Sequence, residues 1–116
     1  MHEFSICQTL VDAVIDKIKK IEPRPVRLIK TRVVVGKLRQ VVPEYMEQAY
    51  EIITKETIAE GSELEIQFAP ITGKCKDCGW GGEMPKGEFC CQSCGSVKAE
   101  IIGGREFYLK DLEVET

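Results

Sequence analysis

The chain is poor in the side chains that most enzymes rely on. It has a single histidine, at position 2, and a single tryptophan, at position 80. The sequence shows no nucleophile–histidine arrangement, and with its one histidine at position 2 general-base chemistry would have to rest on a carboxylate or a lysine. No phosphate-cradling glycine loop and no G-x-G-x-x-G stretch is present, which removes the common nucleotide-dependent classes. No apolar run approaches the roughly 18 residues needed to cross a bilayer. The start, Met1-His2-Glu3-Phe4-Ser5, lacks the basic-then-apolar order of a signal peptide, so a cytoplasmic setting is expected. Repeats and low-complexity stretches are absent. The net charge of −3 gives no whole-protein attraction to nucleic acid or to anionic membranes.

What is there suits one domain with a small satellite, in 116 residues. Phe4, Cys7, Leu10, Val11, Val14, Ile15, Ile18 and Ile21 recur in steps of three and four, the period of an amphipathic helix. Pro23 and Pro25 stop it. From Val26 to Val35 β-branched residues predict a strand with Ile29, Thr31, Val33 and Val35 on one face, ended by Gly36. Pro43 stands at a first helical position. Met46, Ala49, Tyr50 and Ile53 then give a second helix, with Gly61 as its expected terminator. Leu64, Ile66 and Phe68 alternate with Glu63, Glu65 and Gln67, a half-buried strand, and a third strand is expected over 106–113. The fold class is therefore α+β. Two helices lie on a small three-stranded sheet built from residues 1–69 and 105–116, a discontinuous domain. Residues 70–104 form an insert of short β-hairpins. The exposed edges of so small a sheet would permit a homodimer.

The insert holds five of the six cysteines. In a reducing compartment these read as metal ligands or thiols before disulfides. Cys75-x2-Cys78 and Cys91-x2-Cys94 are two pairs separated by 12 residues. Zinc takes four ligands at tetrahedral angles; each C-x2-C turn offers two sulfurs, and a hairpin brings the second turn to the first. Gly79 and Gly95, one after each pair, let the backbone turn tightly. The spacing points to a structural zinc ribbon, although a four-thiolate iron site would use the same ligands. Of the neighbours Cys90 and Cys91, only Cys91 makes the x2 spacing with Cys94, so Cys90 is expected to point away. Cys7 reads as a small core residue. Lys74, Lys76, Lys86 and Lys98 are matched by Asp77, Glu83, Glu88 and Glu100, and Trp80 and Phe89 form no platform, so the insert is not read as a nucleic-acid binder.

The lone histidine sits where a chelate can form. The Met1 amine and the His2 amide nitrogen close a five-membered ring around a metal, and that amide with the His2 imidazole closes a six-membered one. The Glu3 amide or carboxylate could supply a further ligand. Amide-nitrogen ligation in a flat geometry suits Ni(II) or Cu(II) rather than zinc. Charge is also patterned: residues 17–39 carry nine bases and one acid, and residues 44–65 carry seven acids and one base. These read as solvated faces, or as a docking face for a partner.

Met1-His2-Glu3, a first helix, and C-x2-C…C-x2-C-G-S in a late insert together resemble the HypA family of hydrogenase (and sometimes urease) nickel-incorporation proteins, over essentially the whole chain. The resemblance implies a metallochaperone and no enzyme. It implies nickel at Met1, His2 and Glu3 as cargo, and structural zinc at Cys75, Cys78, Cys91 and Cys94. It also implies a HypB-type nucleotide-hydrolysing partner and delivery of Ni(II) to the [NiFe]-hydrogenase large-subunit precursor. Cys90, beside a ligand, and the want of a second histidine are departures. Without the N-terminal motif, the ribbon alone would read as a protein- or nucleic-acid-binding module with no nickel role.

Overall fold

The computed structural model describes residues 2–85 and 90–116, apart from the side chain of His2. Its elements run α1 (His2–Lys19), β1 (Arg27–Gly36), a single 3-10 turn (Lys37–Arg39), α2 (Pro43–Ile53), β2 (Glu63–Ala69), β3 (Thr72–Cys75), β4 (Gly81–Glu83), β5 (Ala99–Gly103) and β6 (Phe107–Glu115). Two sheets form, of order β2-β1-β6 and β4-β3-β5. The chain divides into two compact units. The first is Met1–Val34, Val41–Gln67 and Tyr108–Thr116; the second is Val35–Gln40 and Phe68–Phe107. The cysteine unit thus takes in Val35–Gln40 in addition to the stretch whose composition sets it apart.

In the first unit α1 packs on α2. Cys7, Leu10, Val11, Val14 and Ile18 are buried, so the period-3.6 stripe does form the core face. Phe4 departs from it: it is 42% exposed. The helix also begins earlier than its apolar stripe, at His2, and carries Glu3 in its first turn and Lys17 and Lys19 in its last, both favourable to the helix dipole. α2 starts at Pro43, where a missing N–H costs nothing. It ends well before Gly61. Thr54 closes it, with the Thr54 hydroxyl donating to the Tyr50 carbonyl at 2.7 Å. Gly61 instead serves a later turn, at φ +80°.

Thr31, Val33 and Val35 of β1 are fully buried, as the alternation requires, while Leu28 is buried in place of the half-exposed Ile29. A hydroxyl inside the core needs a partner. Thr31 Oγ1 lies 2.9 Å from the Tyr50 hydroxyl, which lies 2.6 Å from Ser62 Oγ.

On the outer face, Arg32 of β1 reaches Glu65 of β2 at 3.3 Å and Asp111 and Glu113 of β6 at 2.8 and 3.2 Å. Lys30 pairs with Glu63 and Glu65. Part of the basic block is therefore spent on the acids of adjacent strands rather than offered to a partner. Arg27 reaches Glu115, while Arg32 reaches Asp111 and Glu113, so β1 and β6 run antiparallel.

In the second unit β3 pairs antiparallel with β4 on one side and with β5 on the other. Among its described residues, Ile71, Met84 and Val35 are deeply buried apolar side chains. Gly36 has no room for a side chain, since a Cβ there would overlap the Gly104 carbonyl. The Gly36 N–H donates to the Glu106 carbonyl at 2.6 Å and the Leu38 N–H to Gly104 at 2.9 Å.

Candidate metal centre

The second unit brings four sulfurs to one point. The Sγ atoms of Cys75, Cys78, Cys91 and Cys94 all lie within 4.8 Å of one another. Two turns of the same construction place them. In the first, the Gly79 N–H donates to the Cys75 carbonyl at 3.1 Å and the Cys75 N–H to the Trp80 carbonyl at 2.8 Å. In the second, Gly95 donates to Cys91 at 3.0 Å and Cys91 to Ser96 at 2.9 Å. Gly79 and Gly95 have φ of 77° and 76°, so the left-handed residue each turn needs is glycine in both. Trp80 lays its indole on Gly82, where a Cβ would meet ring carbon at 3.3 Å.

The geometry discriminates among ligands. Cys75 and Cys94 sulfurs are 3.7 Å apart, and Cys78 and Cys91 sulfurs 3.5 Å. A disulfide needs about 2.05 Å. Four thiolates at about 2.3 Å from a tetrahedral zinc stand about 3.8 Å from each other. The cluster is thus already close to the dimensions of a tetrahedral metal–thiolate shell. Cys90 lies outside it and is half-buried.

Backbone amides point at the sulfurs: Asp77 N–H at Cys75 (3.4 Å), and Ser93 and Cys94 N–H at Cys91 (both 3.3 Å). The protons are shared unequally. Burial raises the Cys91 thiol, but the Cys94 and Ser93 amides and the neighbouring thiols overcome it and hold Cys91 down to about 6. At Cys94 the Ser96 amide favours the thiolate, yet the Cys91 thiol, desolvation and the other sulfurs push it up to about 12. Cys78 is likewise raised: the Trp80 amide lowers it, and the Cys91 thiol and desolvation outweigh that. Four thiolates this close would repel one another, and a divalent ion held by them would offset that charge.

The N-terminal trio is less fully described. Met1 and the His2 side chain lie outside the described residues. His2 opens α1, and the first four amides of a helix have no intrahelical acceptor. The His2 and Glu3 nitrogens therefore need not break a helical bond to bind a metal. Glu3 is buried, and its carboxylate accepts the Val42 N–H at 3.2 Å, just ahead of α2. Periodicity gave no hint of this contact, which depends on how α1 meets α2. Beside it, Glu3, Phe4, Tyr45, Gln48, Ala49 and Ile52 line a cleft of about 210 Å³. The exposure of Phe4, Tyr45 and Ile52 was hidden in the sequence because helical periodicity marks one buried stripe and is silent about apolar residues beside it.

Comparison with known proteins bears on both ends of the chain. The family model for hydrogenase/urease nickel incorporation metallochaperones, HypA, matches residues 1–114. The hydrogenase maturation factor HypA of Aquifex aeolicus is 36% identical over 115 residues, covering 99% of this chain and 98% of that protein. Its counterpart in Methanocaldococcus jannaschii is 32% identical over 121 residues, covering 99% and 98%. The solution structure of the Ni metallochaperone HypA from Helicobacter pylori superposes with a TM-score of 0.66 at 22% identity, over 97% of each chain. A second HypA solution structure gives 0.68 at 23% identity, over 98% and 96%. At those identities the likeness establishes the fold, mixed α and β with a four-cysteine region. The family model and the sequence relatives go further, and the chain belongs to the HypA family of nickel-incorporation metallochaperones that act in hydrogenase maturation.

Proposed function

We propose that this chain holds Ni(II) at its N-terminus and hands it to a maturing hydrogenase, on a scaffold stapled by zinc at Cys75, Cys78, Cys91 and Cys94. The observation that carries the reading is the family match over residues 1–114, with Met1-His2-Glu3 standing at its start. The nickel ligands are the Met1 amine, the His2 amide and imidazole, and Glu3. Because the Glu3 carboxylate is already engaged by the Val42 N–H, the Glu3 amide is the favoured donor. The amine, amide and imidazole nitrogens must each be free of a proton to bind, so loading is pH-sensitive and release is assisted by protonation. A carrier needs that exchangeability. The cysteine site is of the opposite kind: four thiolates close the shell of a tetrahedral ion, leave no open position for chemistry, and stabilise the unit around it.

The partners that fit are a HypB-type nucleotide-hydrolysing protein and the [NiFe]-hydrogenase large-subunit precursor. Both would act in the cytoplasm, and a homodimer is compatible with the sheet edges at β2 and β6. Nucleic acid and membranes are not among the proposed partners; among the described residues no helix is long and apolar enough to cross a membrane. The test is made in cells that depend on this chain for hydrogenase activity. Replacing it with the His2→Ala variant should lower that activity at limiting nickel, and excess nickel should restore it. Full activity of the variant at limiting nickel would refute the assignment.

A further inference from the structure

The two cysteine turns are joined by a contact that involves no cysteine. Asp77 lies inside the first turn, between Cys75 and Cys78, and Ser96 follows the second. The Ser96 hydroxyl donates to Asp77 Oδ2 at 2.5 Å. The Lys98 N–H donates to Ser96 Oγ at 3.1 Å, which fixes the hydroxyl so that its proton faces the carboxylate. The Lys98 ammonium stands 3.8 Å from Asp77 Oδ1. Ser96 also accepts the Cys91 N–H through its carbonyl. One residue thus touches the second turn by its backbone and the first by its side chain. The construction of the turns does not require this. At the position equivalent to Ser96, the first turn has Trp80, whose side chain packs on Gly82 instead.

We propose that Asp77 and Ser96 form a clasp that holds the two ligand turns at zinc-binding separation, so that they are positioning residues for the metal centre. The inference rests on the zinc reading of the four cysteines. Each turn can form from local sequence alone, but the distance between turns cannot. Once a thiolate is displaced from the metal, the clasp keeps the opposing pair within reach, so recapture competes with escape. Its loss speeds zinc release while leaving the ligand set intact.

The experiment uses the full chain with zinc bound and follows transfer to a coloured chelator in Ser96→Ala, Asp77→Ala, the double variant and Ser96→Thr. The exposed Lys76→Ala, whose side chain pairs with Glu100, serves as control. A charge-assisted hydrogen bond at a partly exposed site sets the expected acceleration at about three- to tenfold for either alanine. The double variant should be no faster than the faster single one, since both remove the same bond. Ser96→Thr, which keeps the hydroxyl, should release zinc at the wild-type rate, and Lys76→Ala should do the same. Cobalt-substituted Ser96→Ala should keep the thiolate charge-transfer intensity of a four-sulfur site. Wild-type rates in both alanine variants, or multiplying effects in the double, would overturn the clasp, as would a threonine variant as fast as alanine. If the wild type itself holds no zinc, the reading beneath the clasp fails, which stoichiometry shows before any rate is measured.

Discussion

Removing the metal should unfold one unit of this chain and spare the other. Among the described residues of the second unit, the deeply buried apolar side chains apart from the cysteines are Val35, Ile71 and Met84, at 0%, 1% and 2% exposure. At about 1.5–3 kcal/mol for each fully buried side chain, these contribute roughly 5–9 kcal/mol before any ordering cost. Structural zinc in small domains contributes about 10–16 kcal/mol at neutral pH. Zinc at the four cysteines would therefore stabilise this unit more than these three side chains do, and its loss would be comparable to the roughly 5–15 kcal/mol by which an ordinary domain is stable. The first unit has its own core in Leu10, Val11, Val14, Ile18, Leu28, Val33, Met46 and Tyr50. The chain supplies a reporter for each. The only tryptophan, Trp80, lies in the cysteine unit, and both α-helices lie in the first. A strong chelator with reductant should shift Trp80 emission to the red while the helical far-ultraviolet ellipticity persists. Unchanged emission after complete metal loss would refute the reasoning, and so would helices that melt together with it.

Further predictions concern single residues. Tyr50→Phe leaves the fully buried Thr31 hydroxyl without its partner and should cost about 1–3 kcal/mol in urea unfolding. Adding Thr31→Val should recover part of that loss, and a double variant as unstable as the sum would contradict the pairing. Burial pushes the Cys7 thiol from 9.0 up to about 12. A raised pKa means that its contribution to stability is complete below pH 9.0 and is lost as pH rises toward 12. The wild type should therefore lose about 1.4 kcal/mol more per pH unit above 9.0 than Cys7→Ala does. Parallel slopes would show that Cys7 does not stay protonated. Cys91→Ser should lose bound zinc and Cys90→Ser should keep it, because Cys90 stands outside the sulfur cluster. Loss of zinc only in the Cys90 variant would reverse the assignment.

Regular elements were legible wherever a single face decided them. The apolar steps of α1 and the alternation of Thr31, Val33 and Val35 follow from period and burial, and the Glu63–Ala69 strand follows from its period although Phe68 is 39% exposed. The C-x2-C spacing announced the sulfur cluster because each turn is local. Places where an element's end depends on a distant partner were not legible. Gly61 is the stronger stop signal on paper, yet Thr54 ends α2 because its hydroxyl reaches back to Tyr50. Phe4 keeps the helical period but lies beside the cleft, since the angle at which α2 crosses α1 decides which apolar residues are covered. The charge blocks read as solvated faces or as a docking face, and no local pattern told that the sheet order would set Arg32 between Glu65 and the acids of β6. Pair contacts such as Glu3 with Val42 and Ser96 with Asp77 join residues 39 and 19 positions apart. No local pattern encodes them.

Whether nickel is held by the first residues of the chain is decided by titrating Ni(II) into zinc-loaded protein in three forms: the native N-terminus, His2→Ala, and a version with extra residues ahead of Met1. The extension removes the amine from its chelate ring and the substitution removes the imidazole. One tightly bound Ni(II) is expected in the native form, with the absorption of a flat nitrogen-ligated ion, and marked weakening in both altered forms. Equal binding of one Ni(II) by all three would contradict an N-terminal nickel site.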